Sequence, residues 1–176
     1  MPLPVIQADP LEAALVSLVK GQVRFSRHDR LLYSTDASLY QVEPLGVVVP
    51  ADAEDVSAVL QFCDERKVAV LPRGGGTSLA GQGTNRAIVL DLSAMQRRVL
   101  DVDVARRECV VQPGISVDEL NRHLKSVSLF FAPDPATSAQ CAIGGCLGNN
   151  TPRPPAPGGS APAEAGARGT AAAPPA

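Results

Sequence analysis

The residues most suited to chemistry lie in one stretch, Leu71-Pro72-Arg73-Gly74-Gly75-Gly76-Thr77-Ser78-Leu79-Ala80-Gly81-Gln82. An apolar run enters three glycines and leaves through two hydroxyl residues. Without Cβ atoms the backbone can adopt φ > 0 and approach a ligand closely. Successive N–H groups then converge into a nest for an anion, with Thr77 and Ser78 as further donors. A phosphate or pyrophosphate is the matching ligand. A tight turn that binds nothing is the other reading of the same glycines.

Two familiar phosphate loops are excluded by the residues that follow. Gly76 and Gly81 have Walker A spacing, but Gln82 and Gly83 stand where Lys and Ser/Thr are required. Gly81-Gln82-Gly83 opens a GxGxxG, but position 86 is Arg and the motif lies well past the apolar run, so a Rossmann site fails as well. The remaining reactive side chains read blandly. His28 lies in a charged segment and His123 on the polar side of a helix, both as surface residues. Cys141 and Cys146, with four residues between them, read as ordinary buried thiols. Asp36 and Asp134 read as cap or turn carboxylates, with no partner acid or base in evidence.

The elements that must position the loop follow from periodicity. Leu11, Leu15, Leu18 and Val19 recur at helical spacing, and Gly21 closes a helix over 11–20. Residues 24–40 read as irregular or partly helical. Val47-Val48-Val49 is a β-branched run ended by Pro50. Asp52 caps a helix whose apolar face is Val56, Val59, Leu60 and Cys63. Val68–Leu71 is a second strand, stopped by Pro72, so the spacing predicts a strand–helix–strand unit with parallel strands. Ala87–Leu90 is a third strand. Residues 99–104 and 108–112 form an antiparallel hairpin. Ser116 and Glu119 make a capping box for a helix with the stripe Val117, Leu120, Leu124. From Pro133 through Gly144-Gly145 and Gly148-Asn149-Asn150 the chain reads as loop. The class is α+β.

Composition narrows the function. Sixteen basic against 18 acidic residues, a net charge of −2 and four Phe and two Tyr leave no nucleic-acid footprint. No apolar run approaches the roughly 18 residues needed to span a bilayer. The N-terminus lacks a charged segment leading into an apolar one, and four cysteines without a CxxC pair suit neither a disulfide scaffold nor zinc. No metal is expected, and a cytoplasmic, reducing location is. Proline and glycine concentrate in residues 151–176, which hold 7 of 16 and 4 of 15 and contain no Val, Ile, Leu, Phe or Met. That tail is expected to be disordered. Its bias towards Pro, Ala, Gly and Arg fits a GC-rich gene read out of frame or past its junction, and equally a natural linker.

YSTDAS (33–38), PLGVVVP (44–50), RGGGTSLAGQ (73–82), PDPATS (133–138) and IGGCLGNN (143–150), in this order, resemble the FAD-linked oxidase family. This is the p-cresol-methylhydroxylase or vanillyl-alcohol-oxidase type of flavin domain, in the branch of glycolate and D-lactate dehydrogenases, especially large proteins with a flavin domain ahead of iron–sulfur modules. The likeness covers residues 22–150. It implies a first βαβ subdomain plus part of a second, mixed-sheet subdomain. Carried over, Arg73, Gly74, Gly75, Gly76, Thr77, Ser78, Gly81 and Gln82 would hold the FAD phosphates. Pro133, Asp134, Thr137, Ser138, Gly144, Gly145, Gly148 and Asn149 would line the flavin and ribityl region. Members with covalent FAD often carry His where Thr77 stands, so non-covalent FAD is implied. Ala142 stands where Thr is common.

The family pattern stops at Thr151, before the rest of the flavin domain, the substrate cap and any iron–sulfur motif. The resulting expectation has three parts: a helical or irregular segment (1–43), a partial FAD-binding domain (44–150) and the tail (151–176). The expected function is that of an N-terminal piece of an FAD-dependent 2-hydroxy-acid dehydrogenase or oxidase, inactive alone and without a nameable catalytic residue. The alternative is a non-catalytic FAD- or phosphate-binding subunit completed by a partner chain.

Overall fold

The computed structural model describes residues 10–149, and the expectation for 151–176 lies outside the described residues. The helices are α1 (Pro10–Leu18), α2 (Arg27–Leu32), α3 (Ala53–Glu65), α4 (Val117–Leu124) and α5 (Ile143–Gly148). The strands are β1 (Gln22–Arg24), β2 (Gly46–Val49), β3 (Val70–Arg73), β4 (Ile88–Asp91), β5 (Val99–Asp103) and β6 (Glu108–Val111). The described chain divides into two compact units, residues 10–72 with 78–91 and residues 73–77 with 92–149. No described helix is long and apolar enough to cross a membrane.

The first unit is built on a sheet of order β1-β2-β4-β3. β1 runs antiparallel to β2, Val23 opposite Val48, and β2 runs parallel to β4, Val47 opposite Val89. Ile88 N–H bonds the Ala69 carbonyl at 2.9 Å, which keeps β3 in line with β4. The strand–helix–strand unit of the sequence is therefore present, with β4 inserted between its two strands. Every residue of β2 and β4 is buried, as central strands with unbroken apolar runs should be. β3 begins later than its apolar run suggests and contains Pro72 instead of ending before it. As an edge strand it loses no ladder bond to the missing N–H.

α3 is capped as expected, Asp52 accepting the Asp55 N–H at 3.0 Å. Its inner face is nevertheless Asp55, Val59, Phe62 and Cys63, while Leu60 is 46% exposed. The shift follows from Asp55, whose carboxylate accepts three backbone N–H groups, from Lys20 (3.0 Å), Gly21 (2.9 Å) and Ala51 (2.9 Å). Satisfying that buried group turns the helix about its axis. α1 packs on α3 and buries Leu15 completely.

In the second unit the hairpin forms as its alternating pattern requires, Val102 opposite Cys109, with a register irregularity between Val99 and Asp101. α4 buries Val117, Leu120 and Leu124 in a core shared with Ile115, Ile143 and Cys146. Its capping box is complete, and Arg97 pairs with Glu119. The Ser116 backbone N–H, then the Arg97 guanidinium and the Ser116 hydroxyl, hold the Glu119 carboxyl below its usual range despite some desolvation. A carboxylate so depressed contributes stability above its unfolded pKa, and that contribution disappears as pH falls through its folded value. Ser116→Ala removes the cap. The expected loss is about 1 kcal/mol, read as a lower urea midpoint at pH 7 and a smaller difference from the parent chain in acid.

α5 was not expected. Three of its six residues, IGGCLG, are glycine, a composition that disfavours helix by about 1 kcal/mol per glycine. Burial of Ile143 and Cys146 in the α4 core overrides that preference.

Candidate functional site

Within the second unit, residues 73–77 leave β3 and rest on the segment 140–142. A Cβ at Gly75 would stand 1.9 Å from the Gln140 carbonyl oxygen, and one at Gly74 would stand 2.6 Å from the Ala142 Cβ. Gly76 has φ +66°, a left-handed conformation that favours glycine, and lies against the Arg73 guanidinium. The three glycines therefore have three separate requirements: two close backbone approaches and one conformation. Among the described residues the N–H groups of Gly74, Gly75, Gly76 and Thr77 donate no internal hydrogen bond. Four consecutive unpaired donors beside a guanidinium form an electropositive cradle suited to a pyrophosphate.

The segment beneath them is fixed in turn. Gln140 and Cys141 donate their N–H groups to the Thr137 carbonyl at 2.9 and 2.7 Å, and Cys141 accepts from Val117 at 3.1 Å. The Ser138 carbonyl accepts the Asp118 N–H at 3.2 Å. Thr137 and Ser138 thus tie this turn together and join it to α4. Asp134 is exposed and Pro133 half-buried. Gly144 donates to the Pro113 carbonyl at 2.9 Å and packs against that proline. Gly145 and Gly148 are different: a Cβ at either meets nothing within 4 Å among the described residues. Asn149 ends α5, its N–H on the Gly145 carbonyl at 3.0 Å. Ala142 occupies the N-cap of α5 with no side-chain cap bond, so a hydroxyl common at this position in the family would also serve as a cap.

The second half of the glycine-rich stretch belongs to the first unit. Ser78 is committed to its own loop, its hydroxyl bonding Gln82 and accepting the Ala80 and Gln82 N–H groups at 3.3 Å. Gly81 has φ +79° and lies against the Tyr40 ring. Asp36 accepts the Ser38 N–H at 2.9 Å and the Gly83 N–H at 3.0 Å. The turn role expected of Asp36 therefore extends 47 residues along the chain. Sequence reasoning missed Tyr40, Asp36 and Gln140 as supports of the loop; the YSTDAS motif held the signal for Asp36. His28 and His123 are both exposed.

Comparison with known proteins bears on the family and the fold. A family model described as "FAD binding domain" matches residues 44–155. The D-2-hydroxyglutarate dehydrogenase of Pseudomonas putida is 39% identical over 140 residues, covering 78% of this chain and 14% of that protein. The glycolate oxidase subunit GlcD of Bacillus subtilis is 35% identical over 138 residues, covering 76% of this chain and 29% of the relative. The chain thus spans less than a third of the length of either. Among solved structures, an alkyldihydroxyacetonephosphate synthase superposes with a TM-score of 0.70 at 21% identity, over 84% of this chain and 31% of that one, a likeness of fold.

Proposed function

Because the chain belongs to the FAD-binding domain family, we propose that Gly74, Gly75, Gly76 and Thr77 hold the FAD pyrophosphate on their backbone N–H groups, with Arg73 offsetting its charge. The observation that carries this reading is the run of four N–H groups without an internal partner, held open by φ +66° at Gly76. Ser78, Gly81 and Gln82 are proposed as phosphate ligands on the family likeness alone. Pro133, Asp134, Thr137, Ser138, Gly144, Gly145, Gly148 and Asn149 form the proposed flavin and ribityl set. Gly145 and Gly148 are the best supported of these, because their faces are open.

The whole protein is read as an FAD-dependent oxidoreductase acting on a small 2-hydroxy acid, the class that the Pseudomonas and Bacillus relatives are named for. FAD, when bound, supplies the electron acceptor for the C–H bond beside the substrate hydroxyl. This chain's residues bind and orient; none is assigned a proton-transfer role. Thr77 offers no imidazole, so the flavin is held without a covalent bond. Acid precipitation of a loaded sample is expected to release all flavin into the supernatant.

The 176-residue chain alone is expected to bind FAD weakly and to turn over no 2-hydroxy acid, since it matches under a third of its relatives. Titration by flavin fluorescence tests this. Weak binding displaced by ADP but not by riboflavin supports a pyrophosphate site. Stoichiometric yellow flavin with 2-hydroxy-acid turnover overturns the proposed incompleteness, and displacement by riboflavin alone overturns the pyrophosphate assignment.

A further inference from the structure

The two cysteines that read as ordinary buried thiols are neighbours: Cys141 Sγ and Cys146 Sγ are 3.3 Å apart. Cys141 precedes the N-cap of α5 and is half-buried, whereas Cys146, one turn inside the helix, is 3% exposed. Cys141 also directly follows Gln140 and precedes Ala142, the two residues on which Gly75 and Gly74 rest. We propose that Cys141 and Cys146 form a reversible disulfide that links the oxidation state of this pair to the position of the glycine loop.

The oxidant is a peroxide. The Cys141 thiolate, the more accessible of the two, attacks a peroxide oxygen and becomes a sulfenic acid as hydroxide leaves. The Cys146 thiolate then attacks that sulfur and expels a second hydroxide. Two thiols and one hydrogen peroxide become one disulfide and two waters. A thiol reductant returns both thiols through a mixed disulfide. Burial pushes the thiols of both Cys63 and Cys109 up.

A disulfide requires an S–S distance of about 2.05 Å, so the sulfurs must close by more than an ångström. The first turn of α5 and residues 140–142 must absorb that movement. Gly74 and Gly75 are packed on those residues without space for a methyl group, so the loop must move with them. The consequence for flavin rests on the function proposed above; the disulfide and the loop movement do not.

The intact chain, treated with one equivalent of hydrogen peroxide and digested with trypsin, is expected to yield a peptide spanning residues 126–168 lighter by two hydrogens, restored by dithiothreitol and absent from Cys141→Ser. Accumulation of Cys141 sulfinic acid, or a cross-link to Cys109, overturns the pairing. Amide resonances of Gly74 and Gly75 are expected to shift on oxidation in the parent chain but not in Cys141→Ser; unmoved resonances overturn the coupling. FAD affinity is expected to fall several-fold on oxidation. If neither form binds FAD, the proposed function fails while the peptide map and the resonances still decide the switch.

Discussion

Gly75→Val is expected to abolish FAD retention and to destabilise the second unit, whereas Gly145→Ala lowers FAD affinity while stabilising the fold. The contrast separates two reasons for having a glycine. At position 75 the first side-chain atom would stand 1.9 Å from the Gln140 carbonyl oxygen and 2.8 Å from its carbon. These are backbone atoms, and the turn that holds them is tied by the bonds of Gln140 and Cys141 to Thr137. The loop must therefore lift, which scatters the four N–H donors. Overpacking of this kind costs about 1–3 kcal/mol, and an affinity loss of about 100-fold corresponds to ~2.7 kcal/mol of lost binding. At position 145 an alanine meets nothing within 4 Å among the described residues, and exchanging an exposed helical glycine for alanine is worth about 0.5–1 kcal/mol of stability. If that open face lies against the flavin, the same methyl group weakens binding. Thermal unfolding and FAD titration of both variants decide the matter. Gly145→Ala that binds FAD like the parent chain removes Gly145 from the proposed lining.

Asp55→Ala is expected to destabilise the first unit by about 2–4 kcal/mol, given that an orphaned buried donor costs about 1–3 kcal/mol. Asp55 is 2% exposed, and its two oxygens divide three donors between them. Oδ1 takes the Lys20 N–H, and Oδ2 takes those of Gly21 and Ala51. That division makes Asp55→Asn informative. Its single carbonyl oxygen can serve the Gly21 and Ala51 pair, but its amide group then faces the Lys20 N–H, donor against donor. The asparagine variant should therefore lose less than the alanine variant and still fall short of the parent chain. Urea midpoints at unchanged slope measure both. An alanine variant within about 0.5 kcal/mol of the parent, the range of ordinary surface changes, would mean that water replaces the carboxylate at this junction of α1, β2 and α3.

Much of the architecture was legible before any coordinates. The β-branched run at 47–49, the capping box at Ser116 and Glu119, and the stripe Val117, Leu120, Leu124 are local patterns, each readable from residues within a few positions of one another. The motifs from Tyr33 to Asn150 were enough to indicate a flavin domain. Three features were not legible, for related reasons. The inner face of α3 is set by a carboxylate serving N–H groups up to 35 residues away. α5 exists because a core elsewhere accepts Ile143 and Cys146. Cys141 and Cys146 meet only because that helix forms.

The amino-acid sequence by itself determined that Arg73 to Gln82 form a glycine-rich stretch that fits neither the Walker nor the Rossmann pattern, since residue types at fixed spacing decide which donors a loop can offer. The tertiary structure alone decided what each glycine is for. Gly74 and Gly75 are required by what lies beneath them, Gly76 by its own φ, and Gly145 by nothing among the described residues. A glycine shows in sequence only that a side chain is absent, and the reason for that absence lies in whatever occupies the space, which here comes from residues 65 or more positions away.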